Sequence, residues 1–146
     1  DALKNYKVDY PVVFDTELIP NSLARANDLD VESLTEIADA FCKTIKSAGY
    51  EPMIYANERW FLLHLDLRKL SDYPLWLAAY KEEITFPYRI KMWQYTEKGT
   101  VDGIEGNVRS GRNNSCRLLH VIYGLPVPAI RGRPTHRQKL SGCKTH

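Results

Sequence analysis

Short β-branched and aromatic runs, separated by one helix-patterned stretch and by turns, constrain the fold of this chain more than any other feature. The run Tyr10-Pro11-Val12-Val13-Phe14-Asp15-Thr16-Glu17 suits a buried strand that ends in carboxylates and enters a polar loop through Pro20 and Asn21. In residues 31–48, Leu34, Ile37, Ala38, Phe41, Ile45 and Ala48 recur at helical spacing. Asp30 or Ser33 is placed to cap that helix, Ser33 and Glu36 have capping-box spacing, and Gly49 is the expected stop. Further strands are expected at 52–57, 75–80 and 89–95, with a fifth starting at 106–108. A brief helix is expected at 59–63 and a turn at 67–70, while residues 1–9 read as a helix end and linker. Strand, helix, strand, short helix, strand is the rhythm of a parallel β/α barrel or a doubly wound sheet. A complete barrel takes about 200–250 residues, so 146 residues exclude one.

Charge divides the chain in two. Residues 1–108 carry 12 Lys/Arg against 18 Asp/Glu, a balance of −6, whereas residues 109–146 carry 8 Lys/Arg and no acid, a balance of +8. The reading is therefore a mildly acidic globule followed by a basic tail with Pro126, Pro128 and Arg131-Gly132-Arg133-Pro134, expected to be irregular and poorly ordered. Such a tail offers charge for nucleic acid or anionic wall polymers, but solvated disorder is the default and no nucleic-acid partner is expected. The first residue is Asp1, so the chain is expected to begin within a longer product, and no signal segment is read at its start. No apolar run approaches the roughly 18 residues of a membrane span. Three cysteines, Cys42, Cys116 and Cys143, make no disulfide framework. Cys116, His120, His136, Cys143 and His146 invite a zinc reading, but C-x3-H and C-x2-H fit no familiar finger, and no metal is expected.

The sharpest chemical feature is Asp15-Thr16-Glu17 at a strand end. Side chains at i and i+2 share a face, about 6.6 Å apart along the strand, and the carboxyl ends of parallel strands are where active sites collect. At about 6 Å and an effective dielectric near 20, two anions repel by roughly 2–3 kcal/mol. That is enough to raise one pKa and move a glutamate toward the range of a general acid. Glycoside hydrolysis needs this division, with one acid to protonate the leaving oxygen and one anion to support the cationic sugar. By spacing alone, the pair equally describes two carboxylates that end a strand and face solvent.

Context adds to the motif. The 10–17 run resembles the fourth-strand signature of the family 25 glycoside hydrolases, the muramidases of lysozyme type. After it come Gly49-Tyr50-Glu51-Pro52-Met53-Ile54-Tyr55, Tyr73-Pro74-Leu75-Trp76-Leu77-Ala78-Ala79-Tyr80, Met92-Trp93-Gln94-Tyr95-Thr96 and Val101-Asp102-Gly103-Ile104-Glu105-Gly106-Asn107-Val108, in the family's order and at about its spacing. The resemblance covers 1–108. It implies an α/β fold, a partial TIM-like (β/α) barrel lacking the first strands, with the basic irregular tail of 109–146 attached. It also implies hydrolysis of the β-1,4 bond between N-acetylmuramic acid and N-acetylglucosamine in peptidoglycan, at an extracellular or wall-associated location and without a cofactor. Glu17 matches the proton donor, and Asp15 matches the residue that assists through the substrate's own acetamido group. Two departures stand out: a further active-site aspartate of the family's first strand has no counterpart, and Arg109 follows Val108 where the family reads Asp. The competing reading is a truncated, inactive barrel fragment that at most binds wall glycan.

Other residues follow from strand alternation. Trp76, Ala78 and Tyr80 share one face, and Leu75, Leu77 and Ala79 the other, which suits packing on helices. With the resemblance, substrate contact is the expectation at Trp76 and Tyr80. Tyr55 is counted with them, either bonding an acetamido group or filling the core. Gln94 either lines the pocket or satisfies a backbone group, with Trp93 pointing the opposite way. His64 reads as structural and Cys42 as a small core residue.

Overall fold

Asp30 starts the first helix. Its carboxylate accepts the Ser33 backbone N–H at 2.7 Å, satisfying one of the donors that every helix start leaves open. The helix, α1, runs Val31–Ser47, and of the two candidate caps Asp30 is the one used. Leu34, Ala38 and Cys42, spaced by four, are buried along with Thr35, while Ile37 is 45% exposed. The buried stripe is thus narrower than the apolar pattern. Thr35 tolerates burial because its hydroxyl donates to Val31 O at 2.6 Å and accepts from Asp66 N at 2.9 Å. At the other end Gly49 adopts φ 86°, donating to Lys46 O at 3.0 Å, and Tyr50 donates to Ile45 O at 3.1 Å. Those bonds close the last turn, and glycine takes this left-handed backbone without a Cβ clash.

The computed structural model describes residues 3, 5–20 and 27–113, and the backbone of 118–121. Strands β1 (Val12–Asp15), β2 (Pro52–Asn57), β3 (Leu75–Ala78) and β4 (Met92–Gly99) lie side by side in chain order and pair in parallel. α1 crosses from β1 to β2, and α2 (Glu58–His64) leads from β2 toward β3. Residues 79–91 then join β3 to β4 without a helix. β5 (Val108–Asn113) and β6 (Leu118–Val121) continue the sheet antiparallel. This is the mixed α/β, partial-barrel architecture expected, with its helices spent on the first crossovers.

One stretch differs from expectation. β5 passes straight through the point where charge changes sign, so residues 109–113 extend the ladder where irregular chain was anticipated. Backbone pairing is indifferent to side-chain charge off its faces. Gly111 helps, because a Cβ there would sit 2.8 Å from Trp93 O. The remaining tail, with Cys116, His136, Cys143 and His146, lies outside the described residues, as does the side chain of His120.

Alternation along the strands sorts the sheet into two faces. Ile54, Ala56, Leu75, Leu77 and Ala79 join Leu34, Ala38 and Cys42 of α1 and Trp60 and Phe61 of α2 in the main core. Full burial of a side chain such as Phe61 or Leu77 contributes roughly 1.5–3 kcal/mol. The other face carries Met53, Tyr55, Trp76, Ala78 and Met92, with Val13 against them. Among the described residues no helix covers that face, and we call it the open face.

Candidate active site

Strand register builds the open face row by row. Asp15 pairs with Tyr55, Tyr55 with Trp76, and Trp76 with Met92. One tier further toward the strands' carboxyl ends stand Asn57, Ala78 and Gln94. Gln94, fully buried, donates through Nε2 to the Tyr80 hydroxyl at 2.7 Å and the Tyr55 hydroxyl at 3.3 Å. The rings of Tyr55 and Trp76 meet edge to face at 4.9 Å. Tyr55, Trp76, Tyr80 and Gln94, singled out separately in the sequence, therefore form one connected cluster. Trp93 does point the other way: its Nε1 donates to Ala79 O at 2.7 Å, and the Arg112 guanidinium lies 4.6 Å from its ring centre.

Two polar atoms of this cluster, Trp76 Nε1 and Gln94 Oε1, are buried with no hydrogen-bond partner. Leaving such an atom unpaired costs about 1–3 kcal/mol. One is a donor and the other an acceptor.

The carboxylates stand at the edge of this face. Asp15 ends β1, exposed as a residue but with its carboxyl partly enclosed by protein, Thr16 is buried, and Glu17 is half-buried beyond the strand. Thr16 is fixed twice: its N–H donates to Tyr55 O at 3.1 Å, and its hydroxyl accepts from Trp60 Nε1 at 2.8 Å. Those bonds orient the backbone between the two acids. Asp15 and Glu17 also share a groove of about 600 Å³ with Phe14, Ile19, Leu29, Leu34 and Ile37. None of Tyr55, Trp76, Tyr80 or Gln94 lines it. The acids thus stand between an apolar groove beside α1 and the open face of the sheet.

Asp15 is pushed above its ordinary value first by burial of the strand end and second by the neighbouring Glu17 charge, with Arg109 pulling it down. In a flat sheet, four strand spacings would separate β1 from β5 by about 19 Å. For Arg109 on β5 to act on Asp15, the sheet must curl and bring its two sides together. Sequence reasoning marked Arg109 only as a departure from the family pattern.

Elsewhere, His64 stacks on Trp60 with ring centres 4.0 Å apart, and Cys42 is fully buried in the core, both in line with their structural reading. Among the described residues, no three His, Cys, Asp or Glu side chains gather as a metal site, and no helix is long and apolar enough to cross a membrane.

Comparison with known proteins agrees with this architecture. The sequence is 30% identical over 102 residues to a D-alanyl-L-alanine endopeptidase of Streptococcus phage B30, covering 61% of this chain and 23% of that protein. It is 29% identical over 104 residues to the uncharacterized protein YegX of Escherichia coli O157:H7, covering 68% of this chain and 35% of that one. The chain thus spans roughly a quarter to a third of these curated relatives. Among solved structures, the modular autolysin LytC from Streptococcus pneumoniae superimposes with a TM-score of 0.60 at 26% identity, over 73% of this chain and 26% of its own. The CTP1L endolysin gives 0.55 at 28%, over 71% and 35%. A family 25 glycosyl hydrolase from Bacillus anthracis gives 0.54 at 22%, over 82% and 52%, a likeness of fold. The sequence profile of the glycosyl hydrolases family 25 matches residues 1–104, from before β1 to just short of β5. The chain belongs to glycosyl hydrolases family 25.

Proposed function

We propose that this chain is part of a peptidoglycan hydrolase that cleaves the β-1,4 bond between N-acetylmuramic acid and N-acetylglucosamine. The observation that carries the reading is the open face itself, with a carboxylate pair at its edge and an aromatic, hydrogen-bonding cluster beside it. Family membership and the likeness to an autolysin and an endolysin support it.

In this mechanism Glu17 protonates the glycosidic oxygen as the bond from C1 to that oxygen breaks. The acetamido oxygen of the same sugar closes on C1 and takes up the positive charge. Asp15, as an anion, stabilises the acetamido N–H while that ring forms. Glu17, now a carboxylate, then takes a proton from the water that reopens the ring, and the anomeric configuration is retained. Trp76 Nε1 and Gln94 Oε1 are the donor and acceptor left open towards an acetamido group, and Tyr80, 48% exposed, supplies stacking surface. The reaction requires no metal or cofactor. Its substrate places it on the cell wall, outside the membrane. Residues 1–108 form the catalytic part in this reading, and 109–146 is a basic extension whose first residues, 109–113, continue the sheet as β5.

The unpartnered atoms on the aromatic face also favour a second reading, glycan binding without cleavage. Incubation with purified peptidoglycan, beside a Glu17→Gln control, separates the two. New reducing ends above the control support hydrolysis. Retention on insoluble wall without release leaves binding alone.

A further inference from the structure

Arg109 is half-buried on β5. Residues 109–112 pair without interruption with β6, so side chains alternate strictly along this stretch. Arg112 lies over Trp93 on the helix-covered face, whereas Gly111 pairs with Gln94 and Asn113 with Met92 on the open face. Arg109 therefore projects to the open face, across the curl of the sheet from Asp15. The groups around Asp15 are Glu17 from its own strand end, its register partner Tyr55 from β2 and Arg109 from β5, while α1 presents Leu34 and Ile37 to the shared groove. Arg109 is the cation among them.

We propose that Arg109 is a positioning residue of the acid pair, its guanidinium facing Asp15 across the cleft so that Asp15 works as an anion beside Glu17. The inference rests on the reading of Asp15 as the assisting carboxylate. Burial and the Glu17 charge both oppose ionisation of Asp15, yet that role needs the ionised form. A guanidinium stays charged at every working pH, so it offsets the opposition without titrating itself. The proton that Glu17 delivers then stays on Glu17 until the leaving oxygen takes it, and is not shared with its neighbour.

The test follows the Asp15 carboxyl by carbon NMR in the full chain through a pH titration, for wild type, Arg109→Gln, Arg109→Met and Arg109→Lys. Loss of the charge should move the Asp15 midpoint upward, and lysine should restore most of it. Methionine keeps the packing of the stem and serves if the glutamine variant folds poorly. If wild type releases reducing ends from peptidoglycan, the acidic limb of its pH profile should move upward with the same variants. An unchanged Asp15 midpoint in both neutral variants overturns the proposal, as does an unchanged midpoint with weaker wall binding, which would make Arg109 a ligand for a substrate anion. If wild type releases nothing, the muramidase reading fails while the midpoint still decides the role of Arg109.

Discussion

Replacing Thr16 with valine tests how the fold holds the acid pair. Valine matches threonine in shape, so it opens no cavity, but it removes the oxygen that accepts the Trp60 indole N–H at 2.8 Å. Trp60 is 4% exposed and Thr16 5%, so water does not readily replace the lost acceptor. A buried donor left unpaired costs about 1–3 kcal/mol. With a urea dependence of about 2 kcal/mol per molar, Thr16→Val should lower the unfolding midpoint by roughly 1 M. The bond links residues far apart in sequence, so its energy should appear as coupling. In the cycle with Trp60→Phe, the double variant should be less destabilised than the sum by about 1 kcal/mol or more. Thr16 separates Asp15 from Glu17, so glycan release should also fall by more than the unfolded fraction explains. A midpoint shift below about 0.2 M, or strict additivity in the cycle, would refute the claim that this bond anchors the strand tip.

Gly111→Ala forces a Cβ to within 2.8 Å of Trp93 O, so it should cost about 1–3 kcal/mol in urea unfolding as β4 and β5 are pushed apart. Wild-type stability in that variant would mean the strands are less closely held. Burial, and secondarily Asp39, push the Cys42 thiol up to about 11. In a Cys116→Ser, Cys143→Ser background, Cys42 should therefore resist a thiol reagent at pH 8 by about 1,000-fold or more relative to the urea-unfolded chain, since reaction waits on opening. Gln94→Leu should weaken retention on insoluble peptidoglycan about tenfold, some 1.4 kcal/mol, and unchanged retention counts against that face as the binding surface. Asp15→Asn tests the sign of the perturbed carboxyl. A carboxyl whose pKa is raised in the folded chain favours folding in its protonated form and opposes it as pH rises through the raised value. The asparagine variant, neutral throughout, should thus be more stable than wild type at pH 7, with the difference vanishing below about pH 4. Lower stability at pH 7 would contradict that sign.

The parallel strands were legible because buried strands leave continuous apolar runs, and Pro52–Asn57 was read with the bounds the structure has. α1 was nearly so, since Asp30 and Gly49 punctuate it. Its buried face was harder to read: Thr35 lies inside while Ile37 does not, because the sheet selects a face more sharply than hydropathy does. Tyr55, Trp76, Tyr80 and Gln94 were each picked out on single strands, but their joining through the Gln94 amide depends on inter-strand register, which no local pattern encodes. β5 was cut short for the opposite reason. Its residues Arg109-Ser110-Gly111-Arg112-Asn113 have poor strand propensity, and β4 recruits them by offering an unpaired edge. The same shortfall left Arg109 outside the sheet in the sequence reading.

A division of labour between the two faces explains why the acid pair sits where it does. The helix-covered face buries aliphatic and aromatic side chains and supplies cohesion, so it has no room for groups that must stay charged. The open face is freed from that duty and tolerates Gln94 and Trp76 with atoms unpaired, at a cost in stability. Asp15 fits this logic, because its ionisation is opposed by burial and by Glu17, so a stability-optimised sequence would place a neutral residue there. Thr16 ties the strand tip to the stable side through Trp60, which holds the Asp15 carboxylate in place without loosening β1. If the faces are independent in this way, Gln94→Leu and Asp15→Asn should alter glycan handling while unfolding remains a single cooperative transition, and Thr16→Val, which crosses between faces, should alter both.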